Sequence, residues 1–384
     1  MRVGVFLFGG VEMDDAGAGP PAPTDRRYDA KVAWEATEKI LDIGVLADRL
    51  GFDSFWLTEH HFQHEGYEVV PNGLMTGVAL AERTERLRIG TMFNVVGQWH
   101  PLRLAEDFAT LHNLSKGRGV LGIGRGTVPR EAETLGTMIG SFDNPEGAEA
   151  DEFNRRQFAE AVEVIHLALD NESFSYQGEV YQFPPPGIPD RGGYVSELSL
   201  LPRPLHPYET WQAITSPPTL EAVPRSGWGG VMWLKHHAFM KSFWDRYAEI
   251  YEEAHGRSLA PGENRMLVVN TCVADSYEEA VLAVRHSHDE FWKFLGPYGW
   301  SRGYMGADGA PAAPGLIPTL EESLDNKVWL IGTADQVAEG IDWYRHHLGG
   351  LRDLIVFPLG VGDRYSVVAD QLERLAAGVL PQLG

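Results

Sequence analysis

Cysteine is almost missing from this chain: Cys272 is the only one in 384 residues. That excludes an intramolecular disulfide and a metal site built on a cluster of thiolates. Cys272 lies in the apolar run Met266–Val273, so it reads as a buried structural thiol and not as a nucleophile. Basic residues are also scarce, 32 Lys and Arg against 54 Asp and Glu, for a formal charge of −22. With no basic cluster to override that balance, nonspecific binding to nucleic acid or to an anionic membrane is disfavoured. No apolar run is long enough to span a bilayer. The first apolar run, Val3–Phe8, is followed by Glu12, Asp14 and Asp15, unlike a signal peptide, so a cytoplasmic protein is expected. The absence of a GxSxG elbow and of a P-loop lysine motif argues against hydrolases and nucleoside triphosphatases.

What is present is a globular composition, 43% hydrophobic and 22% charged. Strand-like and helix-like stretches alternate along almost the whole length. Eight strands are expected: Arg2–Phe8, Asp53–Leu57, Leu87–Val96, Gly119–Ile123, Thr210–Thr215, Gly230–Leu234, Met266–Val273 and Leu354–Pro358. Helical patterns fall between them, among them Ala30–Leu50, Pro101–Ser115, Asp151–Leu169, Ala238–His255 and Tyr277–Phe294. Eight such units fit an α/β (β/α)8 TIM barrel, residues 1–384 as a single domain. Two segments interrupt the pattern: a β-hairpin at Phe174–Phe183 and a Gly/Pro-rich stretch, Leu295–Leu320, expected as a lid loop.

The chemistry concentrates after the second strand, in GFDSFWLTEHHF (Gly51–Phe62). A buried strand there ends abruptly in Glu59, His60 and His61, with His64 and Glu65 close behind. In an α/β barrel the C-terminal strand ends build the active site. The HExxH order is absent, which argues against a metal. Gly117, Gly119 and Gly122 match a dinucleotide fingerprint formally, but a helix precedes them and a strand runs through them, the wrong context. At that strand's far end stands Arg125 among glycines. It reads either as a phosphate contact or as the partner of a nearby carboxylate. Thr215, Ser216 and Thr219 end the fifth strand and enter a helix, which suits either a phosphate or ordinary capping. Thr333 reads as a helix cap.

The block GFDSFWLTEHHF, RLRIGTMFNVV and HPLRLAEDFATLHNLSKGRGVLGIGRG resembles the bacterial luciferase-like family of flavin-dependent monooxygenases. Weaker resemblance continues through FSYQGEVYQF, TSPPT and IGTADQVAEGI. It implies a barrel that binds reduced FMN at the C-terminal ends of its strands. His60 matches the catalytic histidine of the EHH motif, Arg125 the arginine on the flavin phosphate, and Ser216 and Thr219 the phosphate-binding hydroxyls. Met92–Phe93 falls where the family carries a cis non-proline peptide under the flavin. The expected cofactor contacts are therefore Glu59, Met92, Phe93, Asn94, Gly124, Arg125, Thr215, Ser216 and Thr219. Gly124 replaces the reactive cysteine of the luciferase catalytic subunit, which argues against light emission and implies added space beside the isoalloxazine.

The implied activity is oxygenation of a small, apolar organic substrate by reduced FMN and O2 through a C4a-peroxyflavin, with His60 as acid/base. No NAD(P)H site is visible, so a separate flavin reductase is the expected supplier, and a homodimer the expected assembly. Two alternatives stand beside it: a hydride-transferring oxidoreductase of the same fold using the deazaflavin cofactor, and a non-catalytic flavin-binding partner subunit.

Overall fold

The computed structural model describes residues 1–19, 24–138, 148–304, 306–313 and 315–384, the side chains of residues 148 and 302 excepted. Its first half runs β1 (Arg2–Phe6), α1 (Ala30–Leu50), β2 (Ser54–Leu57), α2 (Gly73–Ala81), β3 (Arg88–Thr91), β4 (Asn94–Val95), α3 (Pro101–Leu114), β5 (Gly119–Gly124), α4 (Pro129–Thr134) and α5 (Ala148–Asp170). Two small antiparallel pairs follow, β6 (Tyr176–Gln177) with β7 (Gln182–Phe183) and β8 (Pro189–Asp190) with β9 (Gly193–Tyr194). Then come β10 (Thr210–Ala213), α6 (Pro217–Arg225), β11 (Gly229–Met232), α7 (His237–His255), β12 (Arg265–Val273) and α8 (Tyr277–Leu295). The chain ends with α9 (Leu320–Asp325), β13 (Trp329–Gly332), α10 (Ala334–His347), β14 (Asp353–Pro358) and α11 (Tyr365–Arg374).

Strands β1, β2, β3, β5, β10, β11, β12 and β14 pair in parallel in that order, and β14 returns to β1. This is the closed (β/α)8 barrel expected from the alternation. Period-2 side-chain alternation divides it into two cores. Val3, Val5, Phe55, Leu57, Leu267, Val269, Leu354 and Val356 face the helices. Phe6, Trp56, Trp211, Met266, Val268, Ile355 and Phe357 fill the interior. Two of these indoles require glycine on the neighbouring strand. A Cβ at Gly90 would stand 2.5 Å from the Trp56 ring, and one at Gly229 would stand 2.2 Å from Trp211.

The turn that aims the second strand is built locally. Asp29 caps α1, accepting from the Lys31 and Val32 N–H groups, and Gly51 ends the helix at φ 88°. Asp53 then accepts from the Val3 N–H at 2.8 Å, fixing β2 beside β1.

Five expectations need correction. The first strand stops at Phe6, and the third is broken into β3 and β4 by a cis Met92–Phe93 peptide. β13 was missed: it pairs with Asn270–Val273, the upper part of a nine-residue β12, on the edge that β11 uses lower down. Its four residues follow a Gly/Pro-rich stretch and are too short to show a period. The Pro-rich connection after the hairpin contains the second antiparallel pair. Finally, Leu295–Leu320 is not simply a loop. It carries two 3-10 turns, Gly296–Tyr298 and Trp300–Gly303, and is tied down where Lys235 Nζ donates to the Gly303 carbonyl at 2.7 Å. Thr333 caps α10 as expected, in a capping box with Gln336. No helix of the described residues is long and apolar enough to cross a membrane.

Candidate active site

His60 leaves the tip of β2 and its ring lies between two buried carboxylates. Nδ1 is 3.0 Å and 3.2 Å from the Glu131 oxygens, and Nε2 is 2.8 Å from Glu68 Oε2. The carboxylate side chains are 0% (Glu68) and 1% (Glu131) exposed, while the His60 ring is 19% exposed. Burial alone would favour the neutral imidazole, but Glu68 and Glu131 outweigh it and raise His60 to about 10. Burial likewise pushes Glu68 up to about 7, against the pull of His60. Glu131 is held below the usual carboxylate range: burial would raise it, but hydrogen bonds from His60 and Gln63 prevail.

Neither glutamate was picked out from the sequence. Glu68 is a lone acid in the apolar run Tyr67–Val70, a signal that could have been read. Glu131 looks like any helix-surface acid of PREAET until α4 folds over the EHH loop. His61 and His64, by contrast, serve the loop itself, 3.3 Å from Glu59 and 3.1 Å from Glu65 respectively.

The expected flavin contacts divide into three groups. Met92 and Phe93 are joined by the cis peptide at the end of β3. Asn94 is fully buried and donates to the Gly122 carbonyl at 2.7 Å, leaving its Oδ1 unpartnered. Glu59, another expected cofactor contact, also anchors its loop. It accepts from the Val95 N–H at 2.9 Å and from Trp99 Nε1 at 2.6 Å, tying the β2 tip to the strap after β4. At Gly124 a Cβ would stand 3.0 Å from Phe93 Cβ, so Phe93 packs directly against the glycine.

The phosphate side is assembled on adjacent strands. Ile123 of β5 pairs with Gln212 of β10, so Arg125 and Ile214–Thr215 emerge at one level. Arg125 donates to Asp151 at 2.9 Å and to Asn154 at 3.1 Å, both on α5, so a carboxylate now holds the expected phosphate ligand. Both members of that pair are more than a quarter exposed and open to exchange. Thr219 Oγ1 accepts from the Thr215 and Ser216 N–H groups and donates to the Ser216 carbonyl. Pro217 and Pro218 remove two N–H groups from the first turn of α6. An anion here would be met by hydroxyls and Arg125 more than by the helix terminus.

Aromatic rings close the mouth. Trp233, after β11, sits 5.5 Å from Phe6, 5.6 Å from Phe291 and 6.2 Å from Trp300, and donates to Asn270 at 2.9 Å. Phe294 of α8 lies edge-on to His60 at 6.3 Å. Among the described residues no group of three or more His, Cys, Asp or Glu side chains is arranged to hold a metal ion. Cys272 is buried, which pushes its thiol up to about 12, as suits a structural residue.

The barrel thus carries a histidine, a cis peptide and an arginine at the tips of three neighbouring strands. Residues 1–351 match the model of the luciferase-like monooxygenases, and the chain belongs to that family. It is 25% identical over 352 residues to the 4-hydroxyprotoasukamycin monooxygenase of Streptomyces nodosus subsp. asukaensis, covering 89% of this chain and 85% of that one. Over 167 residues it is 36% identical to the F420-dependent glucose-6-phosphate dehydrogenase of Microbacterium testaceum (strain StLB037), 43% of this chain and less than half, 46%, of that relative. Its fold is shared with the FMN complex of the oxygenating constituent of 3,6-diketocamphane monooxygenase from Pseudomonas putida. That match has a TM-score of 0.74 at 20% identity and covers 100% and 99% of the two chains.

Proposed function

We propose that this chain is a monooxygenase that uses reduced FMN and O2 to oxygenate a small, apolar organic substrate. The observation that carries this reading is the meeting, at one end of the barrel, of a doubly carboxylate-bound His60 with an aromatic enclosure. The residues also fit a flavin phosphate: Arg125, Ser216 and Thr219 stand on neighbouring strand tips, with Met92 and Phe93 beside the ring's expected place. When bound, the reduced flavin supplies the two electrons that activate O2.

The chain's own residues supply the rest. His60, with a proton on each ring nitrogen, acts as an acid and holds developing negative charge at its ring. Trp233, Phe291, Phe294 and Trp300 exclude water and leave an apolar surface for the substrate. The tied-down segment after α8 keeps that enclosure closed through Lys235. A separate reductase delivers the reduced flavin, and the chain works as a homodimer.

A second reading, hydride transfer with the deazaflavin cofactor, is favoured by the likeness to the glucose-6-phosphate dehydrogenase. Titrating the protein anaerobically with reduced FMN and with reduced deazaflavin separates the two. We expect FMN to bind more tightly, and Arg125→Ala to weaken it by ~10-fold or more, a lost charge-assisted phosphate contact of ~1.5–3 kcal/mol. Preference for deazaflavin would overturn the FMN assignment and leave the barrel site in place.

A further inference from the structure

The two carboxylates on His60 are not equivalent. Glu131 has other support: Gln63 donates to it at 2.7 Å, and Gln63 is in turn held by Arg130 at 3.1 Å. Glu68 has less. Its side chain is wholly buried, and besides the His60 ring, 2.8 Å away, only the Thr58 side chain helps to hold its charge. A charged carboxylate in that position depends mainly on the ring to offset its lost hydration.

We propose that Glu68 is the positioning residue of this site: its carboxylate, 2.8 Å from Nε2, holds His60 as an imidazolium. Transfer within the pair breaks the Nε2–H bond and forms an Oε2–H bond. The ion pair becomes a neutral pair, and no charge leaves the pocket. His60 therefore enters the reaction as an acid, and once it has given up a proton the ring takes another from solvent, with the Glu68 carboxylate favouring the reprotonated form.

The other groups facing the pair do not compete for this role. Glu131 from α4 claims Nδ1; Glu59 is engaged by Val95 and Trp99; His61 faces Glu59; Arg130 faces Glu65 and Gln63. Phe294 and Tyr298, from α8 and the turn after it, bring ring edges and one phenol. The inference rests on reading His60 as the acid of the flavin site, but its test needs no flavin.

The test is histidine-selective 15N NMR of the ligand-free protein, with the His60 signals assigned by their loss in His60→Ala. In the wild type both ring nitrogens are expected to remain protonated from pH 6 to pH 8. In Glu68→Gln the midpoint is expected to fall by ~1–3 pH units, the effect of removing an opposite charge at this distance. A wild-type His60 that titrates near 6.5, or a midpoint unmoved in Glu68→Gln, would overturn the assignment. If Glu68→Gln does not fold, the wild-type spectrum at pH 8 decides alone: two protonated nitrogens support the proposal and one contradicts it. Failure here leaves the cofactor titration untouched, so the two readings fail separately.

Discussion

The two ends of the barrel handle buried charge in opposite ways. At the N-terminal end, Asp353 is 1% exposed and meets three guanidiniums: Arg2 at 2.8 Å, Arg352 at 3.0 Å and Arg88 at 3.2 Å. Glu209 beside it takes Arg2 and Arg88, both at 3.1 Å, and Trp211 Nε1 at 2.9 Å. Every carboxylate there is met by several donors, as a plug that holds strand starts together should be. At the C-terminal end, Glu68 is wholly buried with little besides the His60 ring to meet its charge, and Asn94 keeps an unpartnered oxygen. Polar atoms left unsatisfied in a core cost stability; the N-terminal end has some too, Arg2 Nε and Arg265 Nε, but its carboxylates are all met by donors.

That contrast can be broken by substitution. The largest effect is expected at the mouth: His60→Gln should lower substrate-dependent turnover by ~10²–10⁴-fold, the usual contribution of a general acid. Flavin affinity, read by titration, should stay within a few-fold. Next comes the plug. Asp353→Ala strands three arginines and should cost ~3 kcal/mol in denaturant unfolding, the lower end for a broken buried pair because the arginines are partly solvated.

Glu68→Gln should change the pH dependence of stability. The folded protein holds a proton on Glu68 between 4.5 and about 7, and on His60 between 6.5 and about 10, which the unfolded chain gives up. The folded state binds more protons across both windows, so these groups make stability fall as pH rises. The variant should show a flatter profile, checked by urea unfolding at pH 5, 7 and 9; a profile as steep as wild type would remove Glu68 from the account. The smallest effect is expected from Glu209→Gln, ~0.2–1 kcal/mol, because that carboxylate is 39% exposed. A large loss there would show that the plug's strength lies in Glu209 and not in Asp353.

The barrel was legible because its strands are buried runs separated by helix-length patterns. His60 was legible because ionisable residues at the end of such a strand have no packing reason to be there. Arg125 was legible only as an alternative, and its partner Asp151 lies 26 residues on in another helix. What could not be read was contact across the chain. Glu131 reaches His60 from 71 residues away, Phe93 packs against Gly124, and Glu59 takes Trp99 Nε1 from 40 residues on. β13 was missed because four residues carry too little periodicity.

The central claim is that the mouth of this barrel couples reduced FMN and O2 to oxygenation. Oxygen uptake by the purified protein, with reduced FMN supplied by a reductase and a panel of small apolar substrates, tests it most directly. The account predicts uptake that rises with substrate, is matched by oxygenated product, and is lost in His60→Gln. Uptake that ignores every substrate, together with substrate oxidation by the deazaflavin cofactor in the absence of O2, would contradict it.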